Sequence, residues 1–128
     1  MHVEGITWHA ITLDPAPHAA MYKLMTDTFG ITPMMKGDGF VLFMMPNGTM
    51  LDLYEPRALP DYGLNSGGII FGFRVDDIEA ASRAVEDAGC ELLGQITRLE
   101  GMNYAYRHFR GPDGRVYGLN EYKPPAAK

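Results

Sequence analysis

The sequence predicts an α+β fold, two βαβββ modules whose curved mixed sheets enclose a ligand cleft. Three observations carry that prediction. Strand, helix and hairpin signals run along the chain twice in the same order. Both helix patterns stop on a glycine, Gly30 and Gly89, and both modules close on a glycine turn, Asn47-Gly48 and Pro112-Asp113-Gly114. The length, 128 residues, suits one domain, in which folding removes roughly two-thirds of the extended-chain surface from water. We place module one at residues 4–56, a linker at 57–67 and module two at 68–122 of a single domain over 1–128.

Ile6 to Leu13 reads as a strand, with Ile11 and Leu13 alternating against Ala10 and Thr12. Asp14-Pro15-Ala16-Pro17 starts a helix, because a capping-type residue and prolines suit a first turn. That helix carries Met21, Leu24, Met25 and Thr28 at helical spacing and stops at Gly30. Phe40 to Met45 and Met50 to Tyr54 form a hairpin over a two-residue Asn47-Gly48 turn. Arg57 to Gly67, with Pro60, Gly63 and Gly67, is the linker.

The second half repeats the order. Ile69 to Val75 is a strand, and Asp76 with Glu79 resembles a capping box. Ile78, Ala81, Val85 and Ala88 form the apolar stripe of a helix that Gly89 ends. Glu91 to Ile96 follows, then Tyr104 to Phe109 and Arg115 to Asn120 as a hairpin. The repeat lies in element order more than in residue identity, and it fixes the architecture. One helix covers one face of each sheet, so the remaining faces must cover each other around a shared cleft, the predicted binding site.

Composition removes several function classes. The formal net charge of −5 opposes nucleic acid and anionic membranes, which select clustered Lys and Arg. The apolar run from Phe40 to Pro46 is too short to span a bilayer. A lone cysteine, Cys90, cannot close an internal disulfide and suits a reducing compartment. Met1-His2-Val3-Glu4 does not read as the start of a signal peptide, so the expected location is cytoplasmic. Of nine methionines, Met34, Met35, Met44, Met45 and Met50 fall close together. They serve either irregular core filling or an adaptable ligand surface.

Three segments carry a family resemblance. Leu51-Asp52-Leu53-Tyr54-Glu55-Pro56 resembles the Leu-Glu-Leu-x-x-Pro ending of a first module. Phe73-Arg74-Val75-Asp76-Asp77-Ile78-Glu79-Ala80-Ala81 is similar to the strand-to-helix step of a second. His108-Phe109-Arg110-Gly111-Pro112-Asp113-Gly114 resembles an aromatic-Phe-x-Asp-Pro-Asp-Gly turn. In this order they resemble the vicinal oxygen chelate superfamily, which includes glyoxalase I, bleomycin-resistance and extradiol-dioxygenase families. The resemblance covers nearly the whole chain and implies the paired-module fold. It also implies a homodimer.

Metal-binding members place ligands on cleft-facing positions of the first and last strand of each module. Carried over, these positions are Asp52, Ile70 and Gly118, with Trp8 at the fourth, or His9 if the strand slips by one residue. Neither Ile70 nor Gly118 can bind a metal, which leaves at most His9 and Asp52. A catalytic divalent centre uses three protein ligands and an open position. The expectation is therefore no cofactor, with a divalent metal at His9 and Asp52 as the alternative.

Alternation sorts the strand faces. Leu51, Leu53, Phe71, Phe73 and Val75 go against the helices. Trp8 on the first strand and Met50, Asp52 and Tyr54 on the fourth then face the cleft. In module two the same side holds Ile70, Gly72 and Arg74, then Tyr104, Tyr106, His108 and Asn120. Trp8 and the tyrosines either stack on a flat ligand or simply cover an apolar face. Arg74 meets a ligand oxygen or pairs with Asp52. Asp52 and His108 form an expected acid–base pair, since histidine titrates near neutrality; a hydrogen-bonded strand histidine is the plainer role. Glu55 and Glu121 have the parity of solvent-facing residues, His18 should be exposed, and Cys90 should be inert.

The leading functional expectation is metal-independent binding of a hydrophobic, aromatic small molecule, as in drug- and antibiotic-sequestering resistance proteins. The alternative is a metal-free isomerase, lyase or cyclase on a natural-product-like substrate, with Asp52 and His108 moving protons. A divalent-metal glyoxalase-like lyase or dioxygenase stands third.

Overall fold

Two loops of identical construction, one in each half of the chain, occur in the computed structural model, which describes residues 1–60 and 68–123. In the first, the Met45 N–H donates to the Thr49 carbonyl at 2.7 Å and the Gly48 N–H to the Met45 carbonyl at 2.9 Å. In the second, the Gly111 N–H donates to Arg115 at 2.8 Å and the Gly114 N–H to Gly111 at 2.9 Å. Gly48 and Gly114 both have positive φ, 87° and 80°, as the last residue of a three-residue hairpin loop requires. The two-residue turn expected at Asn47-Gly48 is thus a three-residue loop, Pro46-Asn47-Gly48. Proline presets the first turn dihedral and glycine takes the left-handed one.

The described residues divide into two compact units, a first over Thr7–Ile70 and a second of Met1–Ile6 with Phe71–Lys128. The first contains most of β1 (Val3–Thr12), then α1 (Pro15–Lys23), β2 (Pro33–Gly37), β3 (Phe40–Met44) and β4 (Met50–Tyr54). Its strands run in the order β2-β3-β4-β1, with β1 parallel to β4. The second contains most of β5 (Ile69–Val75), then α2 (Ile78–Asp87), β6 (Glu91–Leu99), β7 (Tyr104–Arg110) and β8 (Val116–Tyr122). Its order is β5-β8-β7-β6, with β5 parallel to β8. The α+β, βαβββ expectation therefore holds in both halves. Residues 4–6, expected in module one, belong to the second unit, where His2 exchanges two hydrogen bonds with Asp76. The linker residues Gly63 and Gly67 lie outside the described residues; before them Pro56–Ala58 forms a 3₁₀ turn. Among the described residues no helix is long and apolar enough to cross a membrane.

Each unit buries one sheet face under its helix. In the first, Val41, Phe43 and Leu53 pack on Met25, with Ile11, Leu13, Met21, Tyr22 and Leu51 around them. In the second, Phe73, Val75, Ala105, Phe109 and Leu119 pack with Ile78 and Ala81. Phe71, expected in this set, is 40% exposed and outside it. Strand β2 carries Met34 and Met35 and had no alternation to reveal it, because Pro33 and Gly37 bound only five residues.

The helices depart from their sequence patterns in two places. After α1 the chain makes a π-helical turn, Leu24–Thr28, closed by the Phe29 N–H on the Leu24 carbonyl at 3.0 Å. The wider turn changes the phase of the stripe, so Met25 is buried while Leu24 and Thr28 face outward. At the start of α2 the N-cap is Asp77, whose carboxylate accepts from the Ala80 N–H at 3.0 Å. Asp76 instead accepts from the His2 N–H, and Glu79 pairs with Arg98, so the expected capping box is absent. Glu121 takes the Ile78 N–H at 3.1 Å and is only 15% exposed, a second support for the helix start and not a solvent-facing residue. The α2 stop is a Schellman arrangement, with Cys90 N–H on Val85 and Gly89 N–H on Glu86. It seats Cys90 against the core.

The cap assignment is open to test by urea denaturation. Asp77→Ala should cost about 1 kcal/mol, whereas Glu79→Ala should stay within about 0.5 kcal/mol. The reverse ranking would restore the capping box.

Candidate functional site

Burying Ile11, Leu51, Leu53, Val41 and Phe43 on the helix side turns their strand neighbours to the opposite face of the first unit. Parallel pairing sets Trp8 beside Met50 and Ala10 beside Asp52, and antiparallel pairing sets Leu42 on the other flank of Asp52. Trp8, Ala10, Leu42 and Met50 are all buried. Asp52 is thus a carboxyl group in apolar surroundings, 4% exposed. The Trp8 indole N–H donates to its Oδ2 at 2.6 Å, and the Tyr54 hydroxyl donates to the same oxygen at 3.2 Å. The Tyr54 ring lies over Phe40, centroids 6.3 Å apart. Oδ1 is buried and has no hydrogen-bond partner among the described residues.

Desolvation pushes Asp52 up to about 7, against the pull of the Trp8 and Tyr54 hydrogen bonds. At neutral pH the group is both a proton donor and an acceptor. His9 sits in register with Leu51, on the helix side, and its Nδ1 donates to the Met50 carbonyl at 3.1 Å. Asp52 lies on the opposite face, so the fallback metal pair His9 and Asp52 is not assembled. The apolar alternation of Ile11 and Leu13, which favoured Trp8 at this position, gave the face correctly.

The second unit presents a matching face. Gly72, Gly118 and His108 lie side by side across β5, β8 and β7, and Arg74, Asn120 and Tyr106 form the next row. Tyr122 and Tyr104 complete a third. Arg74 donates from Nη2 to the Tyr122 carbonyl at 2.9 Å, with its guanidinium 5.4 Å above the Tyr122 ring. The Asn120 amide donates to the Tyr104 hydroxyl. The Tyr106 ring lies 6.2 Å from Tyr104 and 5.6 Å from His108. Burial pulls His108 down to about 4. It is a neutral imidazole at pH 7, not the group titrating near neutrality that the sequence suggested; Asp52 takes that position.

Asp52 belongs to the first unit and His108 to the second, while Ile70, buried near the start of β5, groups with the first. Two further expectations change. His18 is part-buried and donates to the Leu53 carbonyl at 3.1 Å. Glu55 is 13% exposed and bonded to Arg57. Sequence reasoning passed over Phe40, Leu42 and Tyr122. Phe40 and Leu42 follow from extending the alternation to β3, and Tyr122 stands two residues after Asn120.

Residues 15–116 match a family model described as the Glyoxalase/Bleomycin resistance protein/Dioxygenase superfamily. No curated protein matches the chain. Among solved structures, a hypothetical protein from Bacillus halodurans C-125 superposes with a TM-score of 0.68 at 14% identity, covering 97% of this chain and 98% of that one. The Mn(II)-bound glyoxalase from Novosphingobium aromaticivorans gives 0.69 at 16% identity, over 98% of this chain and 43% of that one. Methylmalonyl-CoA epimerase from Mycobacterium tuberculosis gives 0.62 at 20% identity, over 95% and 90%. At these identities the likenesses establish the fold.

The two shifted groups act on stability with opposite signs. Asp52 is raised, so the folded state holds its proton longer than the unfolded state, and stability falls as pH rises from about 4 to about 7. His108 is lowered, so its contribution is present above about 6.5 and is lost as pH falls towards about 4. Between pH 4 and 6.5 the two offset each other. Asp52→Asn should therefore leave a stability that rises with pH in this window, and His108→Phe one that falls, each by on the order of a few kcal/mol. Denaturant midpoints across pH measure both; parallel slopes in the two variants would refute the assignment.

Proposed function

The chain belongs to the Glyoxalase/Bleomycin resistance protein/Dioxygenase superfamily, and from that premise we propose that it binds a hydrophobic, aromatic small molecule without a metal ion, in the manner of a drug- or antibiotic-sequestering protein. Superfamily proteins bind small molecules. The observation that carries the proposal is Asp52, a buried carboxyl fixed by Trp8 and Tyr54 through one oxygen, with its other oxygen unpartnered among the described residues. A buried acceptor left open among aromatic and methionine side chains suits a flat ligand that brings its own hydrogen-bond donor. The second unit, taken by itself, has an aromatic and polar face of its own, with Tyr104, Tyr106, Arg74 and Asn120.

The residues do not fit a catalytic divalent metal. Such a centre uses three protein ligands, and among the described residues no three His, Cys, Asp or Glu side chains gather into one set. Of the strand positions that the resemblance makes metal-bearing, Asp52 alone carries a donor, and His9 lies on the other sheet face.

A second reading is a metal-free isomerase, lyase or cyclase. Its support is the Asp52 carboxyl, raised to about 7 and so able to take and return a proton at neutral pH. The homodimer remains part of the proposal, and sedimentation velocity reads it directly.

Trp8 is the chain's single tryptophan, so its fluorescence reports on Asp52's surroundings. A panel of planar dyes and drugs, bleomycin and anilinonaphthalene sulfonate included, should give saturable quenching. Ligand at a hundredfold Kd should stabilise the fold by about 2.7 kcal/mol. A panel that neither quenches nor stabilises would sink the binding proposal. For the enzymatic reading, Asp52→Asn should abolish turnover; unchanged turnover would remove Asp52 as the proton-transfer group.

A further inference from the structure

On the face of the second unit that turns away from α2, two polar atoms on neighbouring strands are left unanswered. Arg74 Nε and Asn120 Oδ1 are buried and have no hydrogen-bond partner among the described residues. The two residues are register partners on parallel strands. One atom is a donor and the other an acceptor. Of their other polar atoms, Arg74 Nη2 donates to the Tyr122 carbonyl and the Asn120 amide nitrogen to the Tyr104 hydroxyl. These bonds fix both side chains, so Nε and Oδ1 cannot turn to water without breaking them. An unsatisfied buried donor or acceptor costs about 1–3 kcal/mol. Two of opposite sense at one register position point to a partner from outside the chain.

A second, independent feature adjoins them. The next row along the same two strands is Gly72 beside Gly118, so no side chain rises from either position. Glycine within paired strands marks a place where another group approaches the backbone closely. His108 stands beside Gly118, and Tyr106 beside Asn120. If a flat ligand rests on the glycine pair, its polar edge meets Arg74 and Asn120 one row along.

We propose that Arg74 and Asn120 form a recognition edge for a planar ligand carrying a carboxamide, lactam or cyclic imide. The carbonyl of such a group accepts from Arg74 Nε, and its N–H donates to Asn120 Oδ1. A carboxylate offers no donor and sets negative charge against the Asn120 oxygen. An ester or ketone satisfies Arg74 alone. The inference rests on the reading that the chain binds flat small molecules and names the ligand class.

The test compares 2-naphthamide, methyl 2-naphthoate and 2-naphthoate on the full chain by calorimetry, with the dye panel as a control. The amide should bind about tenfold or more tighter than the ester. That preference should fall to near unity in Arg74→Met and in Asn120→Leu, each checked for a wild-type thermal transition. The ligand series on the unaltered protein decides the matter even if a variant fails to fold. Equal binding of amide and ester, or a preference for the carboxylate, overturns the recognition edge. So does an amide preference unchanged in both variants. If dyes bind but none of the naphthalenes does, the edge fails and the binding function stands. If dyes also fail, the functional proposal falls with it.

Discussion

In each unit the first strand of the module lies parallel to the last, β1 on β4 and β5 on β8. A parallel pair cannot be joined by a tight turn, so the chain must cross over one face of the sheet. The crossover helix claims that face for apolar residues, and alternation assigns the other face to their neighbours. Once Leu53 and Phe43 meet Met25, Asp52 has no choice of side. Once Phe73 and Leu119 enter the core, Arg74 and Asn120 are set together opposite it. The functional groups are positioned by what the helices bury next to them.

Burial then decides the chemistry. Asp52 and His108 are ordinary titratable residues with opposite charge preferences, and loss of water moves each towards its neutral form. The carboxyl group rises to the physiological range while the imidazole leaves it. Two hydrogen bonds to one oxygen of Asp52 do not cancel the effect of burial, because the second oxygen gains nothing in exchange for lost water. The same accounting applies to Arg74 and Asn120, where each side chain has one satisfied arm and one unsatisfied arm.

Much of this was legible in the sequence. The alternation of Ile11 and Leu13 assigned Trp8 to the Asp52 face, and Ile69 to Val75 and Met50 to Tyr54 were bounded correctly as strands. Glycine and proline marked both hairpin loops, although the left-handed glycine of a three-residue loop looks the same in sequence as that of a two-residue turn. Other features had no local signal. A π-helical turn leaves the order of residues unchanged while altering their phase, so Leu24 and Thr28 seemed to belong to the stripe. Adjacent aspartates at 76 and 77 compete for one cap, and the winner depends on His2, far away in the chain. The buried states of Glu55, Glu121 and His18 depend on partners in the tertiary fold. The shift of His108 depends on the solvent it loses, which strand parity cannot measure.

The attachment of Met1–Ile6 to the second unit bears on how the protein folds. His2 and Asp76 are 74 positions apart, and synthesis produces the earlier segment well before its partner exists. The first unit has all its local pairings in hand by then, but the second must recruit a strand segment already made. Closing so long a loop is entropically slow relative to hairpin formation. Assembly of the second unit is therefore tied to a segment that the first unit has already carried through its own folding, and the order of translation becomes part of the architecture.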